Sequence, residues 1–410
     1  MKSTKKTTNI LLRVNDLEKS SISIKSRLFN RKISDYLRHT AFSHWEDISS
    51  TKHFKTLLKI YQEGDDIAKK EIVEILFQFY RRNGFPYTVL TDDEKINRMD
   101  RIIKSKSILL EDDHLQMNLQ GIDLANSYHP HMMEAYYKRG ENSPYQTYSN
   151  DDGLKDCINR WMELDKIPNP AGMRRILKTR DKTRGVVNFK PTVAKYIYDS
   201  YCSRDGKVLD PCAGYSGRLA GCIAANKGLF YHGIDPNGAT AVGNMEMASF
   251  FSGQYNALGG RVYNYKFRFD LGCAEEVMSG LNDSEYDLIF SSPPYFDTEV
   301  YSEDSSQSGN RYDAYKEWSG KFLFKIVHEG YRVLKNGGYL VLNVKNFHDK
   351  KIADDLLGYC NERWSLHKTY HMRLANNVYD RRNGESFHTE PIFVFKKKRA
   401  EELIKAGELY

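Results

Sequence analysis

With 410 residues, 40% of them hydrophobic, the chain has material for one to three domains with real cores, and no low-complexity tract points to disorder as its main state. No apolar run approaches the ~20 residues of a membrane span. Six cysteines without a CxxC pair, and no secretory leader, predict a reduced, cytoplasmic protein. The net charge of +7 is modest, but thirteen Lys and Arg against five Asp and Glu crowd the first sixty residues. That imbalance favours a polyanionic partner, with a solvated basic face as the competing account.

Thr8 to Val14 alternates, Ile10, Leu12 and Val14 on one side and Asn9, Leu11 and Arg13 on the other, which predicts a half-buried strand. Asn15 or Asp16 caps a helix carrying Leu17, Ile22, Ile24 and Leu28, and Ser34 caps a second one from Asp35 to about Trp45. Forty residues cannot bury a core alone, and so short a strand must find a partner. The same strand of a second chain is the economical solution, so a homodimer is expected. The layout resembles the ribbon-helix-helix domains, and the run from Leu12 to Phe42 is most similar to the DNA-binding segment of plasmid mobilisation accessory proteins. That resemblance implies a DNA-binding segment over residues 1–48, in which Asn9, Leu11 and Arg13 face the bases of the major groove.

Residues 49–180 predict a mainly helical connecting and recognition region. Phe54, Leu57, Leu58 and Tyr61 share one helical face, Ile72, Ile75, Leu76 and Phe79 another, and Thr91-x-x-Glu94 is a capping box before Ile96, Met99 and Ile103. A polar stretch from Tyr128 to Pro144 ends this layer. Its His129-Pro130-His131 lacks a Cys, Asp or Glu partner at ligand spacing, so no metal site is expected.

From residue 181 to about 400 the pattern changes to alternating strands and helices. A helix from Thr192 to Tyr201 and a strand from Lys207 to Leu209 lead into Asp210-Pro211-Cys212-Ala213-Gly214-Tyr215-Ser216-Gly217-Arg218. Strand, small-residue turn and helix make a cofactor-binding unit, because backbone amides there approach a ligand closely. A second strand, Leu229 to Ile234, ends at Asp235, the position of an acid that holds two ribose hydroxyls. A dinucleotide site wants GxGxxG and a diphosphate cradle; this turn offers neither, and S-adenosylmethionine fits it better.

The third unit runs from Tyr265 to Leu271 and on to Cys273, with Asp270 beside it. The fourth strand, Tyr286 to Phe290, stops at Ser291-Ser292-Pro293-Pro294-Tyr295. Two successive prolines remove both amide donors and fix the carbonyls of Ser292 and Pro293 as rigid acceptors beside an aromatic ring, an arrangement suited to a planar ring carrying an amine. A tight turn after a core strand is the plain alternative. The long polar loop from Phe296 to Tyr315, with Glu299, Tyr301, Gln307, Ser308 and Asn310, predicts a lid or binding loop. A helix from Trp318 to Leu334, a strand from Tyr339 to Val344, a helix from Ile352 and two strands near Ser365–Leu374 and Ile392–Lys396 complete the core. The connection Ala375 to Thr389 carries Arg381 and Arg382, placed for phosphate contact.

Ser-Pro-Pro-Tyr resembles the catalytic motif of the DNA amino-methyltransferases, Asp-Pro-Cys-Ala-Gly-Tyr-Ser-Gly-Arg their first cofactor motif, and Asn188-Phe189-Lys190-Pro191 the segment before it. The resemblance implies an α/β fold: a class I methyltransferase core with a Rossmann-like seven-stranded sheet, behind a mainly helical N-terminal half that begins with a ribbon-helix-helix. It carries Asp210 and Gly214 to the methionine end of S-adenosylmethionine, Asp235 to the ribose, Phe189 and Pro191 to the pocket wall, and Pro211, Ala213, Gly217 and Cys273 to cofactor binding, Cys273 at the position of the adenine contact. Ser292, Pro293, Pro294 and Tyr295 become the catalytic residues. Many relatives have an Asp where this chain has Cys273. A cytosine-ring mechanism needs a thiolate, but Cys212 lies in the cofactor turn and reads as a packing residue. The expected function is therefore a site-specific DNA methyltransferase acting on an exocyclic amine, cytosine preferred over adenine because the serine form of the motif resembles the N4-cytosine enzymes. A non-catalytic DNA-binding or mobilisation protein on a methyltransferase scaffold, and an RNA methyltransferase, are the alternatives.

Overall fold

The computed structural model describes residues 51–106, 108–116, 118–180, 182–254, 265–347, 349–374 and 388–398. The strand and two helices expected within residues 1–48, with Asn9, Leu11 and Arg13, lie outside the described residues, as do Arg381 and Arg382. Two compact units emerge. Among the described residues no helix is long and apolar enough to cross a membrane.

The smaller unit joins residues 51–87 to 144–183. Its first helix, Thr51–Glu63, buries Phe54, Leu57, Leu58 and Tyr61 as the spacing predicts. The next, Asp66–Asn83, is capped by the Asp65 carboxylate and buries Ile72, Ile75, Leu76, Phe77 and Tyr80, while Phe79 is only half-buried. Helices Asp151–Glu163 and Pro170–Leu177 start at Asn150 and Asn169, whose side chains accept from the third residue on. Tyr80 and Tyr148 stitch the distant halves together: Tyr80 Oη donates to the Pro168 carbonyl at 2.6 Å, and Tyr148 Oη to the Tyr80 carbonyl at 2.7 Å.

The larger unit joins residues 88–143 to 184–410 and holds the sheet. Its strands are β1 (His114–Leu115), β2 (Lys207–Asp210), β3 (Phe230–Asp235), β4 (Lys266–Leu271), β5 (Tyr286–Ser291), β6 (Leu334–Asn343), β7 (Trp364–Arg373) and β8 (Thr389–Lys397). Their order is β1-β7-β8-β6-β5-β2-β3-β4, every pairing parallel except those of β8, which runs antiparallel between β6 and β7. From β2 onward this is the class I methyltransferase sheet, seven strands with a terminal antiparallel hairpin. The two-residue β1 adds an eighth strand beside β7 that no periodicity could announce, since two residues carry no period.

The central strands are apolar because both faces are covered: Val208, Leu209, Leu288, Ile289, Phe290, Leu340 and Val341 have no exposed surface. The expected helix from Trp318 begins at Tyr315, passes through a π-type stretch, Ser319–Leu323, and continues as Phe324–Val333. Residues 88–143 lie within this unit: Met99, Ile102, Ile108, Leu115 and Leu124 are part of one apolar cluster with the helix Pro191–Tyr201 and strands β2 and β5.

Candidate functional site

The carboxyl ends of β2, β3, β5 and β6 converge on one cavity of about 330 Å³, at the lower end of the range of small-molecule sites. Asp235, at the end of β3, accepts the Gly214 amide on Oδ2 and the Asn237 amide on Oδ1, both at 2.9 Å. Each oxygen keeps a lone pair for a ligand. Burial raises its carboxyl to about 6, against the opposing pull of those two amides. Gly214 itself has φ +56, a left-handed turn that glycine adopts without penalty.

Pro211, Gly214, Phe189 and Cys273 line the cavity with Asp235, while Ala213, Gly217 and Pro191 stand behind the wall. Ala213 is buried and its amide donates to the Ile234 carbonyl at 2.9 Å. Gly217 works by close approach. A Cβ there would come within 2.3 Å of the Phe189 carbonyl oxygen and 2.5 Å of Asn188 Oδ1, so the glycine lets the 188–189 backbone lie on the helix Gly217–Ala225 and sets Phe189 in the wall. Gly217→Ala is therefore expected to destabilise the protein by about 1–3 kcal/mol, the usual range for overpacking against backbone. An unchanged melting temperature would show that the two segments part freely.

Asp210 is enclosed rather than cavity-facing. Its carboxylate has no exposed surface and accepts from Arg218 Nε at 2.7 Å, Arg218 Nη2 at 3.2 Å, Tyr231 Oη at 2.8 Å and Ser291 Oγ at 2.8 Å. Four donors fill its lone pairs, and Arg218 also donates to the Cys212 carbonyl and lies 5.4 Å from the centre of the Phe189 ring. Burial opposes the arginine's charge, and Asp210 more than offsets it. Arg218 thus ties the end of β2 to the turn and to Phe189, a role the sequence motif did not reveal. Asp270 also points elsewhere, held by His232 Nε2 at 3.0 Å and by Arg268.

Across the cavity stand Ser292, Pro293, Pro294 and Tyr295. Ser292 Oγ donates to Asn343 Oδ1 at 3.3 Å, and Asn343 Nδ2 in turn donates to the Pro391 carbonyl at 2.9 Å, which fixes the amide's orientation. With its proton committed to Asn343, the serine oxygen presents lone pairs to the cavity. Tyr295 Oη reaches the Asn343 carbonyl at 3.4 Å. The polar loop supplies Glu299, Tyr301, Ser306, Gln307 and Ser308 to the lining. Burial raises the Glu299 carboxyl, which accepts from Tyr301 Oη. Cys273 Sγ contacts the Ser306 carbonyl at 3.4 Å and so meets this loop.

Residues 122–143 contribute what sequence reasoning missed. His129 Nε2 donates to Ser216 Oγ at 2.7 Å, Ser216 donates to Asn244 Oδ1 at 2.6 Å, and Asn244 Nδ2 donates to the Gly214 carbonyl at 2.9 Å, so the turn is held from behind. Burial lowers His129 to about 3, leaving it neutral, and His131 Nε2 lies 3.0 Å from Thr240 Oγ1. Tyr136 pairs with Val300 through both backbone groups, and Tyr137 lines the cavity. Among the described residues, two buried polar atoms of the lining have no protein partner, Tyr215 Oη and Gln307 Nε2. A carboxylate with two spare lone pairs, a glycine turn and orphaned hydroxyl and amide donors fit a nucleoside carrying further polar groups.

Residues 286–408, less than a third of the chain, match the N6/N4 methyltransferase family described as DNA methylase. No curated protein matches. Similar solved structures include TrmN from Thermus thermophilus, 14% identical over 51% of this chain and 49% of that one, with a TM-score of 0.33. Precorrin-6y C5,15-methyltransferase from Geobacter metallireducens GS-15 is 13% identical over 51% and 87%, with a TM-score of 0.32. An SAM-dependent O-methyltransferase from Thermotoga maritima is 12% identical over 57% and 74%, with a TM-score of 0.31. The chain spans about half the length of TrmN. The fold assignment rests on strand order.

Proposed function

We propose that this protein moves a methyl group from S-adenosylmethionine to the exocyclic amine of a base flipped out of DNA, cytosine in preference to adenine. The observation that carries the reading is the convergence, on one cavity, of Asp235 and the Gly214 turn with Ser292-Pro293-Pro294-Tyr295. The DNA methylase match over residues 286–408 supports the choice of DNA.

Bound S-adenosylmethionine would supply an electrophilic methyl on a sulfonium. Asp235 would hold the ribose hydroxyls, Gln307 and Cys273 would face the adenine end, and Phe189 would pack against the methionine end. An exocyclic amine is a poor nucleophile because its lone pair is delocalised into the ring. Ser292 Oγ and the Pro293 carbonyl would accept its two hydrogens and draw the lone pair toward the methyl, so the rate comes from orientation and polarisation. The new N–C bond replaces the S–C bond, S-adenosylhomocysteine leaves as a neutral thioether, and the amine's surplus proton is lost to solvent. Reaching the amine requires extrusion of the base, and the Tyr295 ring is the stacking surface. Asn343 supports this by keeping the Ser292 proton out of the way.

Incubating the protein with labelled S-adenosylmethionine and, in parallel, DNA or RNA, digesting, and identifying the modified nucleoside by mass spectrometry tests the reading. N4-methylcytosine is the expected product; label only in RNA would refute it. The basic N-terminus is proposed as a dimeric DNA-holding segment. Removing residues 1–48 should leave cofactor affinity unchanged while weakening DNA binding and flattening its salt dependence. Sedimentation with and without duplex checks the dimer, and a full-length chain that stays monomeric on DNA and loses no affinity on truncation rules it out.

A further inference from the structure

Asn343 is the last residue of β6 and pairs with Ile392 of the antiparallel β8. Two residues further along, the same register sets Lys345 opposite Glu390, and their side chains form an ion pair. Asn343, Lys345 and Ser292 all line the one cavity, so the cation faces the same space as the serine. Its Nζ lies 6.0 Å from the centre of the Tyr295 ring. Met372 of β7, cross-strand from Glu390, and Leu374 supply apolar surface beside the pair, and among the described residues Lys190 and Glu299, which also line the cavity, are the other charged groups that face it. Lys345 is 25% exposed and Glu390 16%, so the pair is only partly solvated and a hydrogen bond from it is stronger than one in bulk water. Among the described residues Glu390 is its one hydrogen-bond partner, which leaves two of three ammonium hydrogens for a ligand.

We infer that Lys345, held by Glu390, reads the base by donating to the O2 carbonyl of a flipped cytosine; the inference rests on the methyl-transfer reading above. A ring stacked on Tyr295 with its amine at Ser292 turns the rest of its Watson–Crick edge toward the β6–β8 wall. In cytosine that edge continues as two acceptors, N3 and O2. In adenine it continues as N1 and then a C–H, which would leave the ammonium hydrogens that Glu390 does not use desolvated and unpaired. A site built to pair a polar group rejects an analogue that lacks it far more strongly than an apolar pocket rejects a change of size. Lys345 is thus a specificity-determining residue.

The test compares the parent protein with Lys345→Met on duplexes containing the methylated position, filled either by deoxycytidine or by the 2-aminopyridine C-nucleoside, which keeps the amine and ring nitrogen but has C–H in place of O2. Parent protein should prefer cytosine by roughly tenfold or more in kcat/KM, on the scale of one charge-assisted hydrogen bond. Lys345→Met should lose that preference, falling on deoxycytidine and holding its rate on the analogue. Unchanged S-adenosylmethionine affinity by calorimetry certifies the variant's fold. Equal loss on both substrates, as a phosphate contact would give, overturns the inference, and so does a parent whose product is N6-methyladenine. A parent that methylates no DNA base removes the methyl-transfer reading itself, and this assignment with it.

Discussion

Asp235→Ala is expected to weaken S-adenosylmethionine binding by about 30- to 300-fold in calorimetry. The carboxylate stands at the end of β3 with both oxygens already anchored by the Gly214 and Asn237 amides, so its position costs the ligand nothing to organise. Two hydroxyls bonding to a charged acceptor contribute about 1.5–3 kcal/mol each, less what water returns to the emptied site. Asp235→Asn should fall between, since one of its positions becomes a donor facing an N–H. The same carboxyl predicts a pH dependence. It is raised by burial to about 6, and the ionised form is the one that accepts two hydroxyls. Affinity should therefore be level above pH 6 and fall by up to tenfold per unit below it. For the protein without ligand the sign reverses: a folded value above the unfolded one of about 3.9 means that stability from this group is present below pH 4 and is lost as pH rises to 6. Affinity that does not change between pH 5 and 7, in parent and Asp235→Ala alike, would remove Asp235 from the site.

Most of the sheet was legible because its central strands are buried on both faces and read as apolar runs, with small-residue turns between them. β2, β3 and β5 start and stop within a residue or so of their expected bounds for that reason; β4 does so too, although it is an edge strand on which Lys266, Arg268 and Leu271 are exposed. The cavity was legible in part, since the turn after β2, the acid after β3 and the prolines after β5 each announce themselves locally. What stayed hidden depends on side chains that meet only in three dimensions. Asp210 reads as a ligand-facing acid until Arg218, Tyr231 and Ser291, from a helix and two other strands, are seen to fill its lone pairs. His129 carried no assignable role in the sequence, and it supports Ser216 from a segment 87 residues away. Lys345 and Glu390, 45 residues apart, carried one signal that pattern alone could have used: Asn343 and Lys345 alternate at the end of a strand.

Ser292→Ala should lower methyl transfer by about 10²–10³-fold while S-adenosylmethionine affinity stays within roughly twofold. A preorganised group aimed at developing charge carries that order of rate. On the proposed reading the serine would touch the base rather than the cofactor, and its oxygen is turned to accept by the Asn343 amide, which Pro391 holds in place. Asn343→Ala, which frees the hydroxyl to rotate, is expected to cost part of the same rate through Ser292 alone, so the two changes together should cost little more than Ser292→Ala. Tyr295 separates into two functions. Its hydroxyl meets the Asn343 carbonyl at 3.4 Å and the Ser292 side chain, neither of them the reacting amine, so Tyr295→Phe should keep most activity. Its ring is 8% exposed and is the aromatic surface beside Ser292, so Tyr295→Ala should abolish stacking and cost far more. Single-turnover rates on a duplex and on the same strand unpaired divide extrusion from chemistry: Tyr295→Ala should lose more on the duplex, and Ser292→Ala equally on both. Parent-like rates for Ser292→Ala on both substrates would mean that the amine is polarised by something other than this serine.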